Sequence, residues 1–360
     1  MNFCRSLGLS LALVLTAGTS LAFGQTIGVV VPRSGTFSAL GEQILNGANF
    51  QAEASESTIV TIDDPCSADG GGTVAEQLIG AKVDAAIGFL CSETLEGALP
   101  ALSAAGIPAI TTSVRSQILM EDALKHGWLL YRLAPSDRAE AAKLVDVILG
   151  DWAEKPVALI DDGTLHGREL VDTIRNALEE KGLKPVFVDT YRPGQEQQVA
   201  LVRRLARAGA THVFVGGDRS DITVIARDAA AEKIALTVLG GDALNAANRP
   251  LPLNYGVYAV TVPDYQTLPD ALEVAKAMRA KGLEPEGYVL PAYAAATIAA
   301  EAVGIARSEN KPIGEVLLSR AFNTVIGPVR FNEKHELADN PYRLLLWRGD
   351  AFAPPPTSAD

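Results

Sequence analysis

The chain has 360 residues, 48% of them apolar, with 31 basic against 43 acidic side chains and a formal net charge of −12. Such length and apolar content suit two domains with substantial cores. The acidic balance argues against nucleic acid and anionic membrane surfaces as partners, and says nothing about a small ligand.

The N-terminus reads M-N-F-C-R, continues with an apolar run over Leu7–Leu15, and reaches Ala22-Phe23-Gly24 ahead of Gln25. One positive charge, a short apolar stretch and small residues before Gln25 describe a secretory signal peptide over 1–24, cleaved near Gly24. The run is too short, and too broken by Gly and Thr, to span a membrane. Cys4 precedes the apolar run, so it is not placed as a lipoprotein cysteine would be. Export leaves Cys66 and Cys91 in an oxidising compartment, where one disulfide is the natural reading and two separate buried thiols the alternative.

Thr26–Val31 has the unbroken isoleucine and valine of a buried parallel strand. It ends in a Pro32–Gly35 loop, and a helix follows from Ala39 to Ala54. Strand and helix then alternate through strand Thr58–Ile62, helix Thr73–Gly80, strand Ala85–Leu90, helix Leu95–Ala105 and strand Ile107–Thr111. That rhythm predicts a doubly wound parallel sheet. Trp128–Leu133, followed by Ala134-Pro135-Ser136-Asp137, reads as an extended crossing into a second lobe.

The second rhythm runs through helix Arg138–Leu149, strand Pro156–Ile160, helix Arg168–Lys181, strand Pro185–Val188 and helix Gln198–Ala208. Strand His212–Val215, helix Ile222–Ala231 and strand Thr237–Leu239 complete it. Three strand ends are polar and glycine-rich: 161–167, Gly216-Gly217-Asp218 and Gly240-Gly241-Asp242. On one sheet they face one crevice. Tyr258–Val262 returns to the first lobe, where helices are predicted over Leu268–Lys281, Tyr288–Ala306 and Ile313–Thr324. Tyr342–Trp347 is a last strand crossing back, and the proline-rich end is a loose tail.

Little in the chain commits to catalysis. The four histidines, at 126, 166, 212 and 335, show no metal-binding spacing, so no metal is expected. There is no G-x-S-x-G elbow around Ser92 and no phosphate-binding glycine loop. The pairs Asp63-Asp64 and Asp161-Asp162 sit at strand ends, where turn formation accounts for them. Binding is better served. The strand ending at Leu90 delivers Cys91-Ser92-Glu93-Thr94 onto the first turn of a helix. Free backbone N–H groups and the helix dipole favour an anion there, with the hydroxyls of Ser92 and Thr94 as further donors. The local alternative is that Ser92 only caps the helix.

The phrases D-D-P-C and G-F-L-C-S, in this order around a helix, resemble the leucine/isoleucine/valine-binding proteins, amino-acid-binding members of the type I periplasmic solute-binding proteins. I-G-V-V-V-P-x-S-G at the start and Gly327-Pro328-Val329-Arg330-Phe331 near the end extend the resemblance along essentially the whole mature chain. It implies an α/β fold of two doubly wound parallel-sheet lobes joined by three hinge crossings. The lobes would comprise 25–134 with 263–334 and 135–262 with 335–353, leaving a tail at 354–360. It implies a Cys66–Cys91 disulfide, a ligand carboxylate held at Ser92, and an ammonium held at Asp242, where a Glu is usual.

The resemblance also carries Ser113 and Arg115 to the pocket wall, and His166, Asp218, Leu40 and Tyr288 to positions that often hold aromatics. Arg33, on the loop after the first strand, is a further candidate for an acidic group. These polar exchanges point away from leucine, isoleucine or valine and toward a polar or acidic amino acid or a related small carboxylate. The implied function is that of a monomeric periplasmic binding component of an ABC importer, without cofactor, delivering its solute to an inner-membrane permease. A sensory module of the same fold and a secreted hydrolase using Ser92 are the rivals. A third rival, repressors sharing the fold, needs a DNA-binding N-terminus where this chain has a signal.

Overall fold

The computed structural model describes residues 24–246 and 248–356. The expected signal peptide ahead of Gly24 lies outside the described residues, as does the end of the tail.

The first unit is built from β1 (Thr26–Val31), α1 (Ser38–Ser55), β2 (Thr58–Asp63), α2 (Gly70–Gly80), β3 (Ala85–Gly88), α3 (Ser92–Ala104), β4 (Ala109–Thr111), α4 (Gln117–His126) and β5 (Leu130–Arg132). Its five strands lie in the order β2-β1-β3-β4-β5, and every pairing is parallel. β1 reads T-I-G-V-V-V without polar alternation because helices cover both faces of the sheet.

The second unit continues with α5 (Asp137–Asp151), β6 (Val157–Asp161), α6 (Leu165–Glu180), β7 (Phe187–Thr190), α7 (Val199–Arg207), β8 (His212–Gly216), α8 (Arg219–Ala231), β9 (Thr237–Gly240) and β10 (Tyr258–Thr261). The chain then returns to the first unit with α9 (Leu272–Ala280), α10 (Val289–Glu309), α11 (Ile313–Ser319), β11 (Phe322–Thr324) and β12 (Gly327–Val329). It finishes in the second with β13 (Arg343–Trp347) and β14 (Phe352–Ala353), giving a seven-stranded sheet ordered β14-β13-β10-β9-β8-β6-β7. Only the β10–β13 and β13–β14 pairings of that sheet are antiparallel. The fold is therefore α/β, with two predominantly parallel sheets in two lobes. Three passages of chain link them: after β5, after β10, and between β12 and β13.

α10 is long and apolar enough to cross a membrane, yet it is mostly buried in the core of the first lobe. It lies so close to α1 that a Cβ on Gly47 would stand 2.0 Å from the Val289 carbonyl oxygen. The absence of a side chain at Gly47 is what allows this approach.

Three details differ from the sequence reading. α4 was not foreseen; Ser116 caps it by accepting from Leu119 N–H at 3.2 Å, and Leu119, Met120 and Ala123 bury its inner face. The helix predicted over Ile313–Thr324 stops at Ser319, because Arg320 turns extended and Phe322–Thr324 pairs with Gly327–Val329 as a hairpin. The segment predicted as helix from Leu268 starts only at Leu272, after two short turns around Pro269.

Candidate functional site

Both sheets present their strand C-terminal ends to the space between the lobes, where open α/β sheets bind ligands. On the first-lobe side, β3 ends in a sharp turn: Gly88 and Phe89 both have positive φ, at 95° and 57°. A Cβ on Gly88 would lie 2.4 Å from the Val30 carbonyl oxygen, so glycine is required there. The turn leads to Cys91, bonded to Cys66 across a separation of 25 residues. The buried carboxylate of Asp64 ties both cysteines down, accepting from Cys66 N–H at 2.9 Å and Cys91 N–H at 3.3 Å. Since both sulfurs are consumed by the disulfide, this Asp64–Cys66–Cys91 cluster offers no thiolate to a metal.

α3 starts on this platform with no side chain capping its first turn. Ser92 is half-buried, and among the described residues its hydroxyl donates only a long hydrogen bond to Glu93 Oε2, at 3.4 Å. Thr94 behaves differently. It is fully buried, accepts from Ser67 N–H at 3.1 Å and donates to the Ser67 carbonyl at 3.3 Å, so its hydroxyl braces the disulfide loop. Ser113 likewise spends its hydroxyl on the Phe89 carbonyl at 3.2 Å, which locks the loop after β4 to the loop after β3. Arg115 leaves that loop and reaches across the cleft.

There it meets Asp242, on the turn after β9. Arg115 Nη2 stands 3.2 Å from Asp242 Oδ2, and Nη1 stands 3.8 Å from Asp137 Oδ1. The other oxygen of Asp242 accepts from the Thr261 hydroxyl at 2.8 Å. Its backbone N–H donates to Glu140 Oε1 at 2.8 Å.

Beneath Asp242 lies a cavity of about 300 Å³ whose walls include Glu140, Asp162, His166, Gly217, Asp218 and Gly241. His166 and Asp218 are exposed at the heads of α6 and α8. Asp161 and Asp162 form turns as expected: Asp161 accepts from Gly163 N–H and Asp162 from Thr164 N–H and Oγ1. Burial pushes the Glu140 carboxyl up to about 7, against the opposing effect of the Asp242 N–H bond.

A model of the periplasmic binding protein family matches residues 24–351. The chain belongs to that family. It is 28% identical to the Leu/Ile/Val-binding protein homolog 2 of Brucella abortus, over 94% of each chain. It is 27% identical to an amino acid binding protein of Pseudomonas aeruginosa, over 95% of each. A solved structure from Rhodospirillum rubrum, named for branched-chain amino acid ABC transport, superposes with a TM-score of 0.80 at 19% identity, covering 91% of this chain and 99% of its own. That structure supports the fold. The family is one of extracytoplasmic solute-binding proteins that work with ABC transporters, and it is not a family of enzymes.

In this periplasmic binding protein the ten residues singled out from the sequence do not form one cluster. Ser92, Ser113 and Arg115 gather on the first-lobe rim, and Asp242, His166 and Asp218 on the second. Thr94 is turned into the disulfide loop. Tyr288 precedes α10; its N–H donates to Gln43 Oε1 at 3.1 Å, and its ring packs against the first-lobe core. Arg33 is exposed, and its backbone N–H donates to Asp63 Oδ1. Leu40 is half-buried on α1.

Glu140 was missed. Its signal was a carboxylate in line with Ala141, Leu144, Val147 and Ile148, the buried stripe of α5. An unpaired acid on an apolar face asks for a partner.

Proposed function

We propose that this chain is the periplasmic, monomeric component of an ABC importer that captures an amino acid or a related small carboxylate between its lobes and hands it to an inner-membrane permease. The observation that carries the reading is the meeting of opposite charges from the two lobes at one point, Arg115 Nη2 and Asp242 Oδ2, 3.2 Å apart. A zwitterion has the same two charges in the opposite sense and inserts between them. Its carboxylate takes Arg115, the Ser92 hydroxyl and the uncapped first turn of α3. Its ammonium takes Asp242. Thr94 and Ser113 act through the backbone they hold in place. The names of the Brucella and Pseudomonas relatives agree with an amino acid as cargo.

In this reading residues 25–134 with 263–334 close against 135–262 with 335–353 about the three linking passages, after cleavage near Gly24. Closure driven by the ligand then creates the surface that the permease reads. The test is a thermal-shift screen of ligand-stripped mature protein against amino acids and small carboxylates. A ligand at a hundredfold over its Kd adds about 2.7 kcal/mol of stability. The reading expects a shift that Ser92→Ala and Asp242→Ala both abolish. A shift untouched by either variant, or none with any amino acid or carboxylate, refutes it.

A further inference from the structure

The zwitterion site leaves the cavity beneath Asp242 without a task. At about 300 Å³ it has the size of a small ligand subsite. Its walls carry three carboxylates, on Glu140, Asp162 and Asp218, against one ionisable base, His166. The neighbouring arginines are engaged elsewhere: Arg115 faces Asp242 and Asp137, and Arg168 faces Asp161.

Glu140 is the decisive group. It is 3% exposed, and Oε1 is occupied by the Asp242 N–H, whereas Oε2 takes no hydrogen bond from any described residue. Asp162, 7% exposed, divides its oxygens in the same way: Oδ1 holds Thr164 N–H and Oγ1, and Oδ2 takes no hydrogen bond from the described residues. Glycine keeps these carboxylates at the wall. A Cβ on Gly241 would fall 2.2 Å from Glu140 Oε1, and one on Gly167 would fall 2.3 Å from Asp162 Oδ1. Neither of these oxygens is sealed off from solvent, so each is open to an incoming donor, and carboxylates crowded together raise the cost of ionising one another. A cation rich in N–H donors uses the open acceptors and relieves the crowding.

We propose that the cavity receives an ammonium, amidinium or guanidinium group of the solute, with Glu140 Oε2 and Asp162 Oδ2 as its acceptors and Asp218 at the rim. The assignment rests on the zwitterion reading and narrows it to an α-amino acid with a basic side chain. Within the expectation of a polar or acidic amino acid or related small carboxylate, it selects a basic one, because Arg115 is engaged by Asp242 and Glu140 adds a further acid.

Isothermal titration of the mature chain at fixed salt with L-arginine, L-lysine, agmatine, L-leucine and L-glutamate tests it. The proposal predicts that arginine or lysine binds at least about a hundredfold tighter than leucine and glutamate. Glu140→Gln, which retains the acceptor for Asp242 N–H, weakens the basic ligand about tenfold or more, as loss of a charge-assisted hydrogen bond does. Asp218→Asn, at the exposed rim, weakens it by a few-fold. Binding of agmatine but of no amino acid supports the cation cavity while removing the carboxylate site. Binding of leucine or glutamate, unaffected by Glu140→Gln, keeps the zwitterion site and overturns the cation cavity. Failure of all three cationic probes, or indifference of a bound one to Glu140→Gln, also overturns it.

Discussion

Glu140 ties the stability of the protein to pH, and Glu140→Gln removes the tie. Burial raises the carboxyl from its ordinary 4.5 to about 7 in the native state. Between those values the folded protein holds a proton that the unfolded chain has released, so stability falls as pH rises through the window and the loss is complete above it. At about 1.36 kcal/mol per pH unit the whole window is worth roughly 3 kcal/mol, of which about 2.5 kcal/mol is lost between pH 5 and pH 8. Gln retains the acceptor for the Asp242 N–H at the same place and carries no charge to desolvate. Urea unfolding of wild type and variant, followed by far-UV circular dichroism at both pH values, isolates the contribution as a double difference. The variant gains about 2.5 kcal/mol on wild type in going from pH 5 to pH 8. Parallel profiles, or a variant that is the less stable at pH 8, refute the account of Glu140 as a buried and only partly compensated acid.

The Cys66→Ser/Cys91→Ser double variant loses about 3.5 kcal/mol of unfolding free energy, the chain-entropy value for a loop of this length, and urea unfolding with and without reductant measures it. Thr94→Val removes the two hydrogen bonds between a buried hydroxyl and the backbone of the exposed Ser67; a loss of about 0.5–1.5 kcal/mol is expected in the same assay. Arg115→Ala removes a half-exposed ion pair and costs under about 1 kcal/mol of stability. The same variant weakens an amino acid ligand about tenfold or more by titration calorimetry.

Much of the fold was legible because its signals are local. The unbroken apolar run of β1, the alternation of strands with helices, and the turns at Gly216–Asp218 and Gly240–Asp242 are each set by a handful of adjacent residues. α4 escaped because Q-I-L-M-E-D-A-L-K-H is short and only weakly patterned, and its start depends on one hydroxyl, that of Ser116. The hairpin at Phe322–Thr324 escaped because its partner strand, not its own composition, decides its conformation. The site followed the same division. Asp242, His166 and Asp218 lie just beyond strand ends, which is what singled them out in the sequence. Glu140 acquires its role from a backbone N–H 102 residues away, and the Thr94 hydroxyl is claimed by Ser67, 27 residues before it. Neither distance is written in a motif.

A crystal structure of the mature protein with the amino acid that gives the largest thermal shift tests the central claim most directly. The account predicts the solute between Ser92 and Asp242, its carboxylate on the first turn of α3, its ammonium in place of Arg115 at Asp242 Oδ2, and its side chain against Glu140. A solute bound away from the strand ends, with the Arg115–Asp242 pair intact, contradicts it.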